Sequence, residues 1–330
     1  MWSSASGAAP NAATGPRAKD RDTEVRALRL TAGLAALLTF ALIILGASVR
    51  ATNSGLSCPD WPTCYGNWLP LPGDIPADAG YAYYQVMLEW VHRLIAGVIL
   101  GPLVLVVAWL ALRYREERPG LGAGAALLVV LLVIQAGLGG VTVLDQNSPW
   151  SVALHLGTAL LVLSMTLFLA ARAGSSAPAV DAGFRGLAAF AWLATFATIV
   201  AAAMMAKMGA SLACATWPLC DGALLPDLSD PMVLVNWVHR LLAALAILAI
   251  LLLYLRGRRI GGAFRGLGMG ALLLVLLAAL LAAHGIASFW PLWVAVTHQA
   301  IAILAFMHVT MILWKTWPVT EAAASRPQMA

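Results

Sequence analysis

Eight mostly apolar stretches set the terms for this chain: 27–49, 82–112, 121–144, 150–171, 184–206, 231–255, 264–288 and 291–314. Each reaches or exceeds the roughly 20 residues a helix needs to cross a bilayer core. The second is long enough to tilt or to begin in the interface. Only 11% of the residues are charged and 61% are hydrophobic, where a soluble domain carries about 25% charged residues. The chain therefore reads as an all-α integral membrane protein of eight transmembrane helices. The first span is read as a retained helix and not a signal peptide, because a long tail precedes it and it ends in SVRATNSG.

The net charge of +5 could suggest a nucleic-acid partner, but the cations are placed otherwise. Arg17, Lys19, Arg21, Arg26 and Arg29 precede the first span. Arg113, Arg115 and Arg118 follow the second, Arg172 and Arg185 flank the fourth linker, and Arg256, Arg258, Arg259 and Arg265 lie between the sixth and seventh. The alternate loops hold Asp60, Asp74, Asp78, Asp145, Asp221, Asp227 and Asp230. Lys and Arg concentrate on the cytoplasmic side of membrane proteins, so both termini are predicted to be cytoplasmic and nucleic acid is excluded as a partner. The partner of the apolar faces is the lipid bilayer.

The second half repeats the first. SCPDWPTC (57–64) returns as ACATWPLC (213–220), both with Cys-x2-Trp-Pro-x-Cys, and EWVHRLIAG (89–97) returns as NWVHRLLAA (236–244). VALHLGTALL (152–161) is weakly like AVTHQAIAIL (295–304). Each half holds four spans, an even number, so both enter the membrane from the same side. The prediction is two tandem four-helix bundles related by a pseudo-twofold axis along the membrane normal. The expected boundaries are a disordered cytoplasmic tail over 1–25, halves at 26–172 and 185–316, a cytoplasmic linker at 173–184 and a second cytoplasmic tail at 317–330.

His92, His155, His239 and His298 fall on spans two, four, six and eight, each in the outer part of its span. Two imidazoles per half can meet across a bundle at one depth, which is how facing helices hold a haem iron between axial ligands. Zinc prefers three or four close ligands, and the halves repeat no acid, so haem is favoured. His284 and His308 have no repeat partners and are read as structural. Arg93 and Arg240 follow their histidines directly, and Arg50 and Lys207 end spans one and five. All four could pair with haem propionates; snorkelling to headgroups is the alternative.

Glu89 is the one carboxylate placed within a span. It lies one turn before His92 on the same helix face, and the repeat puts Asn236 there. The first half is thus the candidate reactive half, with Glu89 as its acid–base group; an ion pair with Arg93 is the alternative. Cys58 and Cys64, and Cys214 and Cys220, lie in outer loops, where an oxidising compartment permits disulfides. Stapling of the loop is the simple reading of each pair, and a redox role is more plausible for the first.

Residues 27–315 resemble the heme A synthase family of cytochrome oxidase assembly proteins. The resemblance is carried by GLSCPDWPTCYGNWLP (55–70), the EWVHR run and the paired histidines over eight spans. It implies oxidation of a methyl group of heme O to the formyl group of heme A by successive hydroxylation, for assembly of terminal oxidase. It also implies a bacterial inner (plasma) membrane location with the Cys loops periplasmic or extracellular. By that resemblance His92 and His155 bracket heme O as substrate, with heme A as product. His239 and His298 ligate a resident heme b, and Glu89 matches the family's essential acid. The heme O synthase that supplies the substrate is an implied partner. Gln135 could contact the substrate or hydrogen-bond between helices. The second half lacks an obvious counterpart of QAGLGGVTV (135–143), having AAHGIASFW at 282–290. Two other readings use part of the pattern: a di-haem cytochrome that only carries electrons, which has no need of Glu89, and a membrane thiol–disulfide oxidoreductase, which needs no haem.

Overall fold

The computed structural model describes residues 16–116, 118, 120–174 and 179–317. Nine α-helices order these residues: α1 Pro16–Ala51, α2 Tyr83–Leu94, α3 Gly101–Arg113, α4 Leu121–Leu144, α5 Pro149–Arg172, α6 Ala182–Lys207, α7 Pro231–Ile260, α8 Gly262–Ala287 and α9 Leu292–Thr316. A π-helical stretch, Ile95–Leu100, fuses α2 and α3 into one span. Among the described residues eight helices are long and apolar enough to cross a membrane, and their bounds fall within a few residues of those read from the sequence. The chain is a multi-pass membrane protein.

Local chemistry explains where the helices begin and end. Ser148, Asp181 and Asp230 cap α5, α6 and α7 by accepting from backbone N–H groups of Ser151, Phe184 and Met232, and Pro149 and Pro231 occupy first-turn positions that lack a helical N–H partner anyway. Asp181 is exposed; its bond from the Phe184 amide is the main reason its carboxyl sits below the usual range. The α7–α8 reversal needs Gly261 and Gly262 at φ 81° and 54°, where a side chain would clash with its own backbone. The π turn precedes Pro102, which cannot donate to the helix behind it, and Gly101 instead bonds back to Ala96. The equivalent stretch of α7 has no proline and is unbroken.

One boundary read from the sequence moves. The expected disordered segment 1–25 is helical from Pro16 onward, because a mixed-charge run cheaply extends a helix that the apolar span has already nucleated; residues 1–15 lie outside the described residues. Likewise 175–178 of the expected linker and all but Trp317 of the expected C-terminal tail lie outside them.

The packing defines two groups of four spans. In the first, α1 packs on α2, α3 and α5, and α4 packs on α3 and α5. In the second, α6 packs on α7 and α9, and α8 packs on α7 and α9. The groups meet where α5 packs on α6 and α9 and where α1 packs on α9. Dry apolar cores fill the Arg-rich end of each group: Leu28, Val104, Val107, Leu128 and Leu169 in one, Phe184, Ile250, Leu253, Phe264 and Ile312 in the other. A third core, with Ile43, Leu163, Ile199, Ile303 and Phe306, seals the junction.

Close packing in the first group depends on Gly124. A Cβ there would sit 2.7 Å from a Phe168 ring carbon and 3.0 Å from Leu169. Gly124→Leu is expected to destabilise the protein by about 1–3 kcal/mol, the usual cost of overpacking. Gly33→Ala, where an added Cβ meets nothing within 4 Å, should leave the melting temperature in detergent unchanged or raise it. Equal melting of wild type and Gly124→Leu would refute the packing argument.

Candidate functional site

The second histidine pair is built from backbone. His239 on α7 places Nδ1 3.1 Å from the Thr198 carbonyl of α6, and His298 on α9 places Nδ1 2.9 Å from the Ala278 carbonyl of α8. A carbonyl only accepts, so Nδ1 carries the proton in both rings and each Nε2 keeps its lone pair. That is the arrangement in which a metal-ligating imidazole is normally held. The rings lie within electrostatic reach of each other and are half-buried. The Trp290 ring meets His298 edge-on at 5.5 Å.

The first pair is built differently. His92 on α2 and His155 on α5 also lie within electrostatic reach, but only His155 has a backbone anchor, at Gln135. His92 rests against Gly46 of α1, where a Cβ would come within 3.1 Å of the ring, and its buried Nδ1 has no hydrogen-bond partner. A Cβ on Gly139 of α4 would come within 3.3 Å of the His155 ring, whose nitrogens lie 3.2 and 3.3 Å from the Gln135 side-chain amide, with the Gln135 backbone hydrogen-bonded to the ring as well. Glycine at both contacts lets flat groups approach the backbone. In each half two imidazoles lie within electrostatic reach of each other; among the described residues no three His, Cys, Asp or Glu side chains converge as a metal cluster. Two imidazoles with small residues around them fit a haem iron and its flat macrocycle.

Glu89 is 5% exposed and fully engaged. Its Oε2 accepts from the Ser57 hydroxyl at 3.0 Å and the Cys58 N–H at 2.9 Å, and its Oε1 takes Arg93 at 2.6 Å. The ion pair and the tie to the disulfide loop therefore coexist. Asn236 occupies the matching place with the polarity reversed: its amide donates to the Ala210 carbonyl at 2.7 Å and its oxygen accepts from Arg240 at 2.8 Å. Ser57, completely buried, is a site residue that sequence reasoning missed; its position beside Cys58 was the available signal.

Arg93 and Arg240 face the loops. Arg93 donates to the carbonyls of Cys58, Asp60 and Thr63, and Arg240 to those of Cys214, Thr216, Pro218 and Leu219. The loops themselves are closed by the Cys58–Cys64 and Cys214–Cys220 disulfides, each with Cα atoms 4.7 Å apart, and each carries the same short bridge, Cys64 to Asn67 and Cys220 to Ala223. Asp60 adds bonds from Thr63, Tyr65 and Gly66; partial burial pushes its carboxyl up, but these bonds outweigh it and hold the carboxyl below its usual range. Arg50 donates to Gln299 of α9 at 3.2 Å, and Lys207 is close enough to repel it. These two are not repeat counterparts. The turns after α1 and α6 share the bonds Thr52 to Ser48 and Met208 to Met204, which sets Lys207 opposite Ala51. His284 is exposed beside Trp293, and His308 donates to the Leu304 carbonyl one turn back; neither joins a pair.

Eight helices long and apolar enough to cross a membrane, carrying two histidine pairs and two disulfide loops, define a polytopic membrane protein. Residues 29–310 match the COX15-CtaA family, described as cytochrome oxidase assembly protein, and the chain belongs to that family. It is 30% identical over 82% of its length to the heme A synthase of Shouchella clausii, spanning 87% of that protein. It is 29% identical to the heme A synthases of Mesorhizobium japonicum, over 94% of this chain and 95% of the relative, and of Halalkalibacterium halodurans, over 87% and 97%.

Proposed function

We propose that this protein is a heme A synthase, an oxidoreductase that converts a methyl group of heme O to the formyl group of heme A by successive hydroxylation, for terminal oxidase assembly. The observation that carries the reading is the unequal build of the two halves: the buried carboxylate of Glu89 lies one turn before His92, where the second half has Asn236 before His239. His239 and His298 suit a resident heme b. His92, whose Nδ1 has no hydrogen-bond partner, and His155 suit a haem that enters as substrate and leaves as product. When bound, heme b supplies one-electron redox chemistry. The residues of this chain hold, orient and protonate. Glu89 is the acid of the substrate half, since Asn236 cannot ionise. Arg50 and Lys207 offset propionate charge, with Arg93 and Arg240 adding positive charge at the same edge through the loops they hold.

The two halves, 26–172 and 185–316, are proposed to be related by a twofold axis along the membrane normal. Mirrored contacts support it: α1 on α9 pairs with α6 on α5, and the post-helix turns share bonds such as Thr52 to Ser48 with Met208 to Met204 and Asn147 to Thr142 with Trp290 to Gly285. The Arg-rich ends favour cytoplasmic termini and a cytoplasmic linker, with the Cys loops outside. Terminal oxidase assembly and the heme O synthase are the proposed functional partners.

The test is haem extraction and chromatography from cells that supply heme O. Wild type should yield heme b with heme O and heme A. Glu89→Gln should retain haem but lose heme A formation by about 10²–10⁴-fold, the range of a lost general acid–base group, while Asn236→Asp should not. Folded protein free of tetrapyrrole would overturn the proposal, and so would full conversion by Glu89→Gln.

A further inference from the structure

Trp290 stands where a large side chain is hard to place. It follows Phe289 in the turn after α8, and the two residues have φ 53° and 58°, a region that bulky side chains avoid. The turn after α4 is built alike, with Asn147 bonded to Thr142 as Trp290 is bonded to Gly285. It holds Gln146 and Asn147 at φ 54°. Asparagine tolerates that backbone, and the Asn147 amide donates from it to the Gly55 carbonyl at 2.7 Å. The first turn thus ties down its Cys loop. The second turn puts an indole in the same place.

The indole has a prepared seat. A Cβ on Gly285 would come within 2.8–2.9 Å of Cδ2, Cε3 and Cζ3 of its benzene ring, so glycine is what admits it. The ring meets that of His298 at 5.5 Å between centroids, with the planes at 78°. Its Nε1 is buried and has no hydrogen-bond partner among the described residues. An indole N–H only donates, and a buried donor left unpaired is costly, so the group that completes this site is an acceptor. The neighbourhood also suits an anion: Arg50 donates to Gln299, the residue after His298, at 3.2 Å.

A haem offers acceptors of that kind in its two carboxylates. We propose that Trp290 Nε1–H donates to a carboxylate of the second-half haem, which makes the turn after α8 part of that haem's binding site. The matched turn in the first half has no such donor to give, because the Asn147 amide is engaged with Gly55. The second-half haem is then held at its edge as well as at its iron, as a resident group requires. The inference rests on reading the second half as a haem site.

The full-length protein in detergent, purified with its haem, is challenged with excess apomyoglobin and haem transfer is followed optically. Trp290→Phe keeps an aromatic ring and removes the N–H. It should release the second-half haem about 10- to 100-fold faster, the range set by one hydrogen bond to a charged group. It should also move the potential of that haem to more negative values, because the carboxylate keeps its full charge. Wild type reloaded with haem dimethyl ester should release faster too, and Trp290→Phe should add much less to that, since an uncharged ester accepts more weakly. Wild-type release and potential in Trp290→Phe would overturn the proposal. So would an equal effect of the substitution on haem and on its ester, which marks lost ring packing. His298→Ala run in parallel identifies the second-half haem. If it leaves every haem in place, the haem-site reading fails and the proposal with it. If it removes one while Trp290→Phe changes nothing, only the role of Trp290 falls.

Discussion

Replacing His298 with alanine is expected to remove the second-half haem from the purified protein altogether. The ring is held from one side only, by the Ala278 carbonyl at 2.9 Å, and no nearby group can take its place. His308, the next histidine along α9, is tied back to Leu304, two to three turns further from the pair. The Trp290 edge against His298 is a donor-only indole and cannot ligate iron. Loss should therefore exceed the 10–100-fold weakening that follows from disturbing only a partner of a ligand, and heme A formation should stop with it. His239→Ala should behave alike, since Thr198 holds it in the same way. His308→Ala should keep full haem content. Extracted haem per protein, with the reduced-minus-oxidised spectrum, checks all three. Retention of the second-half haem by His298→Ala would remove this histidine from the ligand set.

Much of this arrangement was legible in the sequence because membranes make sequence patterns coarse. Spans follow from length and polarity alone, and His92, His155, His239 and His298 stand out as polar residues repeated in apolar runs. What escaped was whatever lives in the backbone or in register. Thr198 and Ala278 act through carbonyls, which any residue could supply, so nothing in their identity marks them. The counterpart of Gln135 was sought four residues too far along α8, because the turn that aligns α4 with α8 shares hydrogen bonds and no residue types. Lys207 and Arg50 looked equivalent, yet one position along a helix is about 100° of rotation. Arg93 and Arg240 were expected to serve propionates from their place beside the histidines. Their partners are loop carbonyls some 30 residues away in sequence for Arg93 and some 20 for Arg240, a distance at which spacing carries no signal. Pro102 was the visible cue to the π turn.

The Arg93 and Arg240 loop anchors should differ sharply when cut, and the difference isolates the meaning of Glu89. Arg93→Ala strips the cation from a carboxylate whose side chain is 6% exposed and leaves the carbonyls of Cys58, Asp60 and Thr63 without that donor. Breaking a buried ion pair by removing one partner costs about 3–5 kcal/mol, most of it the stranded charge. Arg240→Ala strands no charge, because Asn236 is neutral, and the carbonyls of Thr216, Pro218 and Leu219 that it released would be exposed to water. It does leave the buried Asn236 oxygen and the Cys214 carbonyl without that donor, so its cost should stay near the roughly 1–3 kcal/mol of a buried acceptor left unpaired, below that of Arg93→Ala. Denaturation in detergent with both disulfides intact measures the two. The double variant Glu89→Gln with Arg93→Ala then decides between charge and loop anchoring. If the stranded carboxylate dominates, the double variant regains most of the stability lost in Arg93→Ala, since Gln still offers an oxygen to the Cys58 N–H. If the loop carbonyls dominate, it regains nothing, and the first loop is held as the second is. In the first case the ionised Glu89 depends on Arg93 to exist in the membrane at all, and any step that takes up a proton at Glu89 also loosens the loop that Arg93 and Glu89 hold together.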